Sequence, residues 1–279
     1  MASEIFRPGL LDGQVVVVSG AGAGLGRATA LELARLGATV VICGRRVGPL
    51  EETVSLAGGG AVEAVVCDIR EEGQVAALMD GVLERHGRID TLVNNAGGQF
   101  LQPAEDVTPK GFATVMRLNV EGTWLMTHAA ATKAMIPQGG GKIVNVTLSP
   151  HHGLPGMTHS SAARAAVENM TRTLSIEWAR YNIRLTAIAA GHFATETLMT
   201  KYPKVVSEGA ARTVPLQRLG EPDEHAWLVA YLASKAGDYF SGAILTLDGA
   251  RDNWFGPWPP PGLAEEGGKP PTEERRRAE

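Results

Sequence analysis

The stretch Gln14-Val15-Val16-Val17-Val18 runs directly into Ser19-Gly20-Ala21-Gly22-Ala23-Gly24-Leu25-Gly26. Four consecutive valines predict a short buried strand, and the glycines that follow predict a tight turn. The apolar spacing from Leu25 to about Leu36 then predicts a helix. A strand, a glycine turn and a helix start together make a phosphate-binding unit. The turn brings backbone close to a pyrophosphate, and the helix N-terminus offers free N–H groups and the positive end of its dipole. The strict G-x-G-x-x-G string is absent; the spacing is Gly20-xxx-Gly24-x-Gly26. A glycine cluster by itself is often only a turn, so it is the flanking strand and helix that carry the reading. Gly20, Gly22, Gly24, Leu25 and Gly26 are the expected phosphate-side residues.

Outward from this unit, strands and helices alternate. Strands are expected at Ala38–Cys43, Val62–Cys67, Ile89–Val93, Lys142–Thr147, Ile183–Ile188 and Ala243–Leu247. Helices are expected at Gln74–His86, Thr108–Ile136, Thr158–Tyr181 and Pro222–Ala233. Alternation of this kind predicts an α/β Rossmann fold, a doubly wound parallel sheet covered on both faces. Residues 1–255 read as one domain. Residues 256–279, rich in Pro, Gly and charge, read as an arm and disordered tail.

Composition narrows the partners. The chain has 279 residues, 26 Lys and Arg against 30 Asp and Glu, and a formal net charge of −4, which supplies no general attraction to nucleic acid. Cys43 and Cys67 lie in apolar runs and read as buried core residues rather than a metal pair or disulfide. No apolar run reaches the ~18 residues of a membrane span, and no signal peptide opens the chain. The expectation is a soluble, cytoplasmic protein with a small-molecule substrate, no metal and no membrane or nucleic-acid partner.

The end of the second strand reads Cys43-Gly44-Arg45-Arg46, where many NAD-binding folds place a carboxylate on the ribose. Two guanidiniums suit a 2′-phosphate instead, so Arg45 and Arg46 predict NADP(H). Arg27 is expected to add charge to the same pocket. Asp68, with Ile69 after it, is expected at the adenine, with Asp68 accepting from its amino group. The alternative for Asp68 is a cap on the next helix.

Asn94-Asn95-Ala96-Gly97 after the fourth expected strand, together with the glycine turn, resembles the short-chain dehydrogenase/reductase family. Asn119-Val120-Glu121-Gly122, Ile143-Val144-Asn145-Val146, the Arg184–Gly191 stretch and Leu247-Asp248-Gly249 agree with it in order, so the likeness covers about residues 8–250. The resemblance implies a seven-stranded sheet and a homotetramer. It implies that Asn94 lines the adenosine site and that Asn95, Ala96 and Gly97 lie along the cofactor. It also implies that backbone around Gly191 and Phe193, with Thr195, holds the carboxamide and phosphate.

The family's usual Tyr-xxx-Lys is replaced. Counting through His159-Ser160-Ser161-Ala162-Ala163-Arg164, Ser160 takes the Tyr place and Arg164 the Lys place; the usual Ser falls at Leu148. The i,i+4 spacing puts Ser160 and Arg164 on one helix face, while His159 projects elsewhere. A Ser hydroxyl is a far weaker acid than a phenol, and Arg cannot relay a proton as Lys can. Arg164 can still bind ribose hydroxyls and supply a positive field, which suits a polarised thioester oxygen.

A narrower likeness follows. Pro8-Gly9-Leu10-Leu11, Gly97-Gly98-Gln99-Phe100-Leu101 and His159-Ser160-x-Ala162-Ala163-Arg164 resemble the peroxisomal trans-2-enoyl-CoA reductase branch, near the 2,4-dienoyl-CoA reductases. It implies NADPH-dependent reduction of the C=C bond of an enoyl thioester, possible acyl-CoA binding included. Alternatives are an alcohol dehydrogenase or carbonyl or imine reductase with His or Ser replacing Tyr, and a cofactor-binding protein without turnover. His151, His152 and His159 are candidate proton donors. The resemblance implies that Asn119 bends its helix and holds a relay water; with Arg164 in the Lys place, the alternative is a chiefly structural Asn119. Gln99, Phe100 and Ser149 are expected to line the substrate pocket, with Tyr202 in a lid.

Overall fold

The protein is described from a computed structural model, over residues 3–58, 61–201, 209–254 and 256. Its strands are β1 (Val15–Ser19), β2 (Thr39–Gly44), β3 (Val62–Val66), β4 (Thr91–Asn94), β5 (Gly141–Leu148), β6 (Ile183–Ala190) and β7 (Ile244–Leu247). They form one parallel sheet in the order β3-β2-β1-β4-β5-β6-β7. The order reverses between β1 and β4. Their carboxyl ends diverge there into the crevice where open α/β sheets bind ligands.

Helix α1 (Gly24–Arg35) follows the glycine turn, and α2 (Val47–Leu56) and α3 (Glu72–His86) follow β2 and β3. The valines of β1 divide between two cores. Val16 and Val18 pack with Leu33, Ile42 and Val229, while Val15 and Val17 pack with Leu78, Met79, Met126 and Met135 on the opposite face. That two-sided burial explains why β1 is apolar throughout Val15–Val18 instead of alternating. The α2 helix was not among the expected elements. Its Gly48-Pro49 start reads as a loop, yet Pro is tolerated in the first turn of a helix.

The expected long helix over 108–136 is broken in two places. Thr108 Oγ1 accepts from Gly111 N at 3.0 Å and starts α4 (Pro109–Met116). A π-turn (Arg117–Glu121) leads to α5 (Gly122–Ala130). A second (Ala131–Met135) leads to the short α6 (Ile136–Gln138). Helix α7 (Thr158–Glu177) precedes β6, α8 (Glu196–Lys201) follows it, and α9 (Pro222–Ala233) packs on α1. Cys43 and Cys67 are both buried and free. Among the described residues, no helix is long and apolar enough to cross a membrane.

Candidate active site

The glycine turn is shaped by contacts that exclude side chains. Gly20 has φ +70°, and a Cβ built on it would stand 2.7 Å from the Ala96 backbone. A Cβ on Gly26 would stand 2.3 Å from Asn95 Nδ2 and 2.6 Å from the Gly20 carbonyl. Asn95 is the brace: its Nδ2 donates to the carbonyls of Ser19 at 3.0 Å and Gly20 at 3.2 Å. Ser19 Oγ in return accepts from the N–H groups of Asn95 and Ala96. Asn95 and Ala96 thus tie the ends of β1 and β4 together at the sheet's crossover.

This cradle fits a dinucleotide phosphate. The residue before α1 is Ala23, which has no side chain to cap the helix, so the first-turn N–H groups are left for an anion. Gly24, with φ +57°, faces Thr195, whose Cγ2 would lie 3.5 Å from an added Cβ. Two segments far apart in sequence therefore meet at one turn. Thr195 Oγ1 accepts from Leu198 N and starts α8. The Phe193 ring is buried against Gly220, so only its backbone is offered to a ligand. Gly191 packs on Asp248, where a Cβ would meet that residue at 2.5 Å.

At the adenosine end, Arg45 and Arg46 stand exposed beyond β2. The Asp68 carboxylate takes Arg70 Nε at 2.9 Å and Arg70 Nη2 at 2.5 Å. That hydrogen bonding, helped by the field of Arg45, holds Asp68 down at about 2. The Ile69 side chain is buried against Gly122. Two expectations need correction. Arg27 does not add to this pocket, because its guanidinium is spent on Glu52 at 2.6 Å and on the Gly22 carbonyl. Asn94 does not line the adenosine site. Its amide is buried and donates to Thr127 Oγ1 and Asn145 Oδ1, and Asn145 continues to Thr171, cross-linking the sheet to its helices.

On α7, Ser160 is buried and Arg164 half-buried, and both lie on one face, as the spacing requires. Ser160 Oγ donates to Gln99 Oε1 at 2.6 Å. Arg164 Nη1 donates to the Val146 carbonyl at 2.9 Å, while its buried Nε has no partner among the described residues. Burial lowers Arg164 to about 10, opposed by Glu168 one turn along, so the guanidinium stays charged at neutral pH. A Cβ on Gly97 would stand 2.4 Å from Arg164 Nη2 and 2.8 Å from Asn119 Oδ1. Gly97, Arg164 and Asn119 therefore meet at one point. Asn119 sits in the first π-turn, and its amide is fully used. It accepts from Gly98 N at 3.1 Å and donates to the carbonyls of Gly98 and Val115. These bonds make Asn119 a brace for the 97–98 backbone, in keeping with the structural alternative for this residue.

The three candidate histidines differ sharply. His151 has Asp252 Oδ2 on Nδ1 at 2.5 Å and Glu168 Oε1 on Nε2 at 3.1 Å, so neither nitrogen is free to serve a substrate. Exposed His152 reaches the same Asp252 at 3.3 Å. These two expectations of a proton donor are corrected: both rings are committed to carboxylates. His159 is fully buried, its ring 4.1 Å from that of Phe100, and neither nitrogen has a partner among the described residues. Burial lowers its pKa, leaving it neutral at pH 7. Phe100 is 37 % exposed, so its ring covers His159 on one side and meets solvent on the other.

Ser149 is also corrected. It is 1 % exposed and donates to Asp248, so it anchors the loop after β5 beneath the pocket rather than lining it. Tyr202 lies outside the described residues. Glu168 and Asp252 were not anticipated, and Asp248 entered only within the Leu247-Asp248-Gly249 motif, with no contact assigned to it. The i+4 spacing from Arg164 could have revealed Glu168; nothing local marks Asp252.

The family model described as enoyl-(acyl carrier protein) reductase matches residues 20–250. The peroxisomal 2,4-dienoyl-CoA reductase, (3E)-enoyl-CoA-producing, of Arabidopsis thaliana is 34% identical over 256 residues, 88% of this chain and 86% of that protein. The 3-oxoacyl-acyl-carrier-protein reductase FabG of Thermotoga maritima is 35% identical over 243 residues, 86% of this chain and 98% of that protein. The solved structure of a citronellol catabolism dehydrogenase, AtuB, of Pseudomonas aeruginosa PAO1 superposes with a TM-score of 0.80 at 42% identity. It covers 89% of this chain and 98% of that one.

Proposed function

Because the chain belongs to the short-chain dehydrogenase/reductase family of oxidoreductases, we propose that it reduces the C=C bond of an enoyl thioester with NADPH. The observation that carries this is the pair on one face of α7, where buried Ser160 and half-buried Arg164 replace a phenol and an amine. Neither can run the proton relay that a ketone or alcohol demands of this site. Both can serve a reaction whose charge builds on a thioester oxygen.

The Gly20–Gly26 turn, Thr195 and the 191–193 backbone would hold the dinucleotide, with Arg164 at the nicotinamide ribose. When bound, the reduced nicotinamide supplies the hydride that Cβ of the substrate accepts. The Cα proton that completes the reduction comes from solvent water, and the chain's own part is electrostatic. Neutral His159, with its two unspent nitrogens, donates a hydrogen bond to the thioester oxygen, in the manner of a neutral imidazole electrophile. Arg164 adds a fixed positive charge. Ser160 is oriented by Gln99, and Phe100 screens the site from water.

The test is loss of 340 nm absorbance when pure protein meets NADPH with crotonyl-CoA or a longer enoyl-CoA. No loss on any enoyl thioester sinks the reading. The second reading is oxidation of a hydrophobic alcohol, favoured by the 42% identity to the citronellol catabolism dehydrogenase. It requires 340 nm absorbance to rise with NADP⁺ and terpenoid alcohols. Binding of cofactor without turnover on either panel leaves a non-catalytic role.

The preference for NADP(H) rests on the exposed pair Arg45 and Arg46. Arg45→Asp should cut the ratio of kcat/KM for NADPH over NADH by tenfold or more, at about 1.4 kcal/mol per tenfold. An unchanged ratio rejects the assignment. On the same reading the working form is a cytoplasmic homotetramer. The half-exposed β7 and the exposed Trp124 and Ile176 support association, and sedimentation at a monomer mass would reject it.

A further inference from the structure

A line of polar groups runs from α7 to the turn after β7 and belongs to neither the phosphate cradle nor the Ser160–Gln99 pair. Glu168 is 5% exposed and accepts from Thr147 Oγ1 at 2.8 Å and from His151 Nε2. Asp252 takes His151 from the other side, through its backbone N–H at 2.7 Å and through Nδ1. Asp248 in turn accepts from Asp252 N and from Ser149 Oγ. We propose that Glu168 is a positioning residue. With Asp252 it clamps His151, and the clamp holds the loop between β5 and α7 and the substrate-side loop that leans on it.

The geometry makes the clamp a lever. His151 anchors the inner end of the 149–157 loop. The outer end carries Gly156, whose carbonyl accepts from Gln102 N at 2.9 Å and whose Cα packs on Leu101. Gln99 and Phe100, two and one residues before Leu101, are the residues that face Ser160 and His159. Release of His151 therefore loosens the wall on which the thioester would rest. This last step depends on the proposed substrate pocket; the clamp itself does not.

Both ring nitrogens face carboxylates, so the clamp is complete only for the imidazolium. A neutral ring leaves one lone pair against a carboxylate oxygen. The charged groups around the ring are Glu168 from α7, with Arg164 one turn before it, and Asp252 from the turn after β7, with Arg251 and Asp248 beside it. His152 lies on the ring's own loop. Burial alone would lower His151, but the hydrogen bond to Asp252 and the charges of Glu168 and Asp252 raise it above its ordinary value. With a raised folded pKa, the clamp is fully present below the unfolded pKa of ~6.5 and is lost as pH rises through the folded one.

The experiment follows the full chain from about pH 6 to about pH 9, the range that brackets a raised His. An NMR titration of the His151 ring is paired with hydrogen exchange over 97–104 and 149–157, corrected for base catalysis. In wild type, protection of both segments should fall about tenfold as His151 titrates, a local opening cost near 1.4 kcal/mol. In Glu168→Gln, the midpoint should drop by about one unit and the loss of protection should move with it. Asp252→Asn tests the clamp from the other side and stands in if the first variant does not fold. A merely structural Glu168 would lower Tm and leave the midpoint in place. An unmoved midpoint in either variant, or protection that ignores the titration, overturns the proposal. Failure of the enoyl-thioester reading shows in turnover alone and leaves these signals intact.

Discussion

Arg164 is a half-buried cation whose enclosed Nε has no partner among the described residues. Replacement by Ala removes the charge and opens a hole beside Gly97. We expect a higher apparent cofactor KM and lower turnover, both by well over twofold, a threshold of ~0.4 kcal/mol. Steady-state kinetics with both effects inside twofold would remove Arg164 from the site. Gly97→Ala approaches the same point from the facing loop. Its Cβ would land 2.4 Å from Nη2, so the guanidinium must move. Overpacking of this kind costs ~1–3 kcal/mol, so the variant should fold with a reduced Tm and lose activity out of proportion to that loss. At this scale the sequence was informative where spacing along one helix decides the matter, as with Ser160 and Arg164. It was silent where partners come from distant segments. The three histidines look alike in the chain, and only the presence of Asp252 and Glu168 around His151, and of Phe100 over His159, separates them.

At the scale of elements, the glycine turn contains two kinds of glycine. Gly26 is a packing glycine inside α1, where an added Cβ strikes Asn95, the Gly20 carbonyl and Ala21 at 2.3, 2.6 and 2.9 Å. Gly24 is a conformational one, with φ +57° and only Thr195 nearby. Gly26→Ala should thus separate α1 from the β1–β4 crossover, costing ~1–3 kcal/mol and abolishing cofactor binding. Gly24→Ala should cost only the left-handed backbone term of ~1–2 kcal/mol and weaken binding without abolishing it. Chemical denaturation and fluorescence titration of both variants check the order; equal effects would contradict it. The turn, the strands and α9 were legible because valine runs, glycines and a Pro at the helix start are local signals. The π-turn at Arg117–Glu121 was legible only through Asn119, a residue unfavourable in mid-helix, because nothing in helical periodicity marks an inserted residue. Its physical reason is Asn119, whose side chain reaches across to hold Gly98 from both sides. Helix α2 escaped because a Gly-Pro start carries a loop's composition.

For the whole molecule, acid stability turns on histidines that serve packing. His225 of α9 is fully buried against α1, with Nδ1 3.3 Å from Thr29 Oγ1, its ring edge-on to Phe193 and Nε2 without a partner. Burial lowers it to about 4. His192, beside Phe193, is likewise lowered to about 4, by burial and by Arg251. Both are neutral in the fold and protonate near 6.5 once unfolded. Their folded pKa values lie below the unfolded ones, so the unfolded chain binds more protons between about pH 4 and 6.5 and stability falls as pH drops through that window. These two groups alone give a slope near pH 5 of ~2 kcal/mol per pH unit, and His159, also lowered by burial, acts in the same direction. His151, raised rather than lowered, is already protonated in both states there and adds nothing to the slope. Tm should therefore decline steadily from pH 7 to pH 5, before the carboxylates begin to titrate. His225→Gln should start from a lower Tm, because it empties part of the α1–α9 contact, and should show a shallower slope than the wild type. The slope, not the offset, is the diagnostic, because a packing defect shifts Tm equally at every pH. A flat wild-type profile over this range, or an unchanged slope in the variant, would mean that neither buried ring controls how the fold responds to acid.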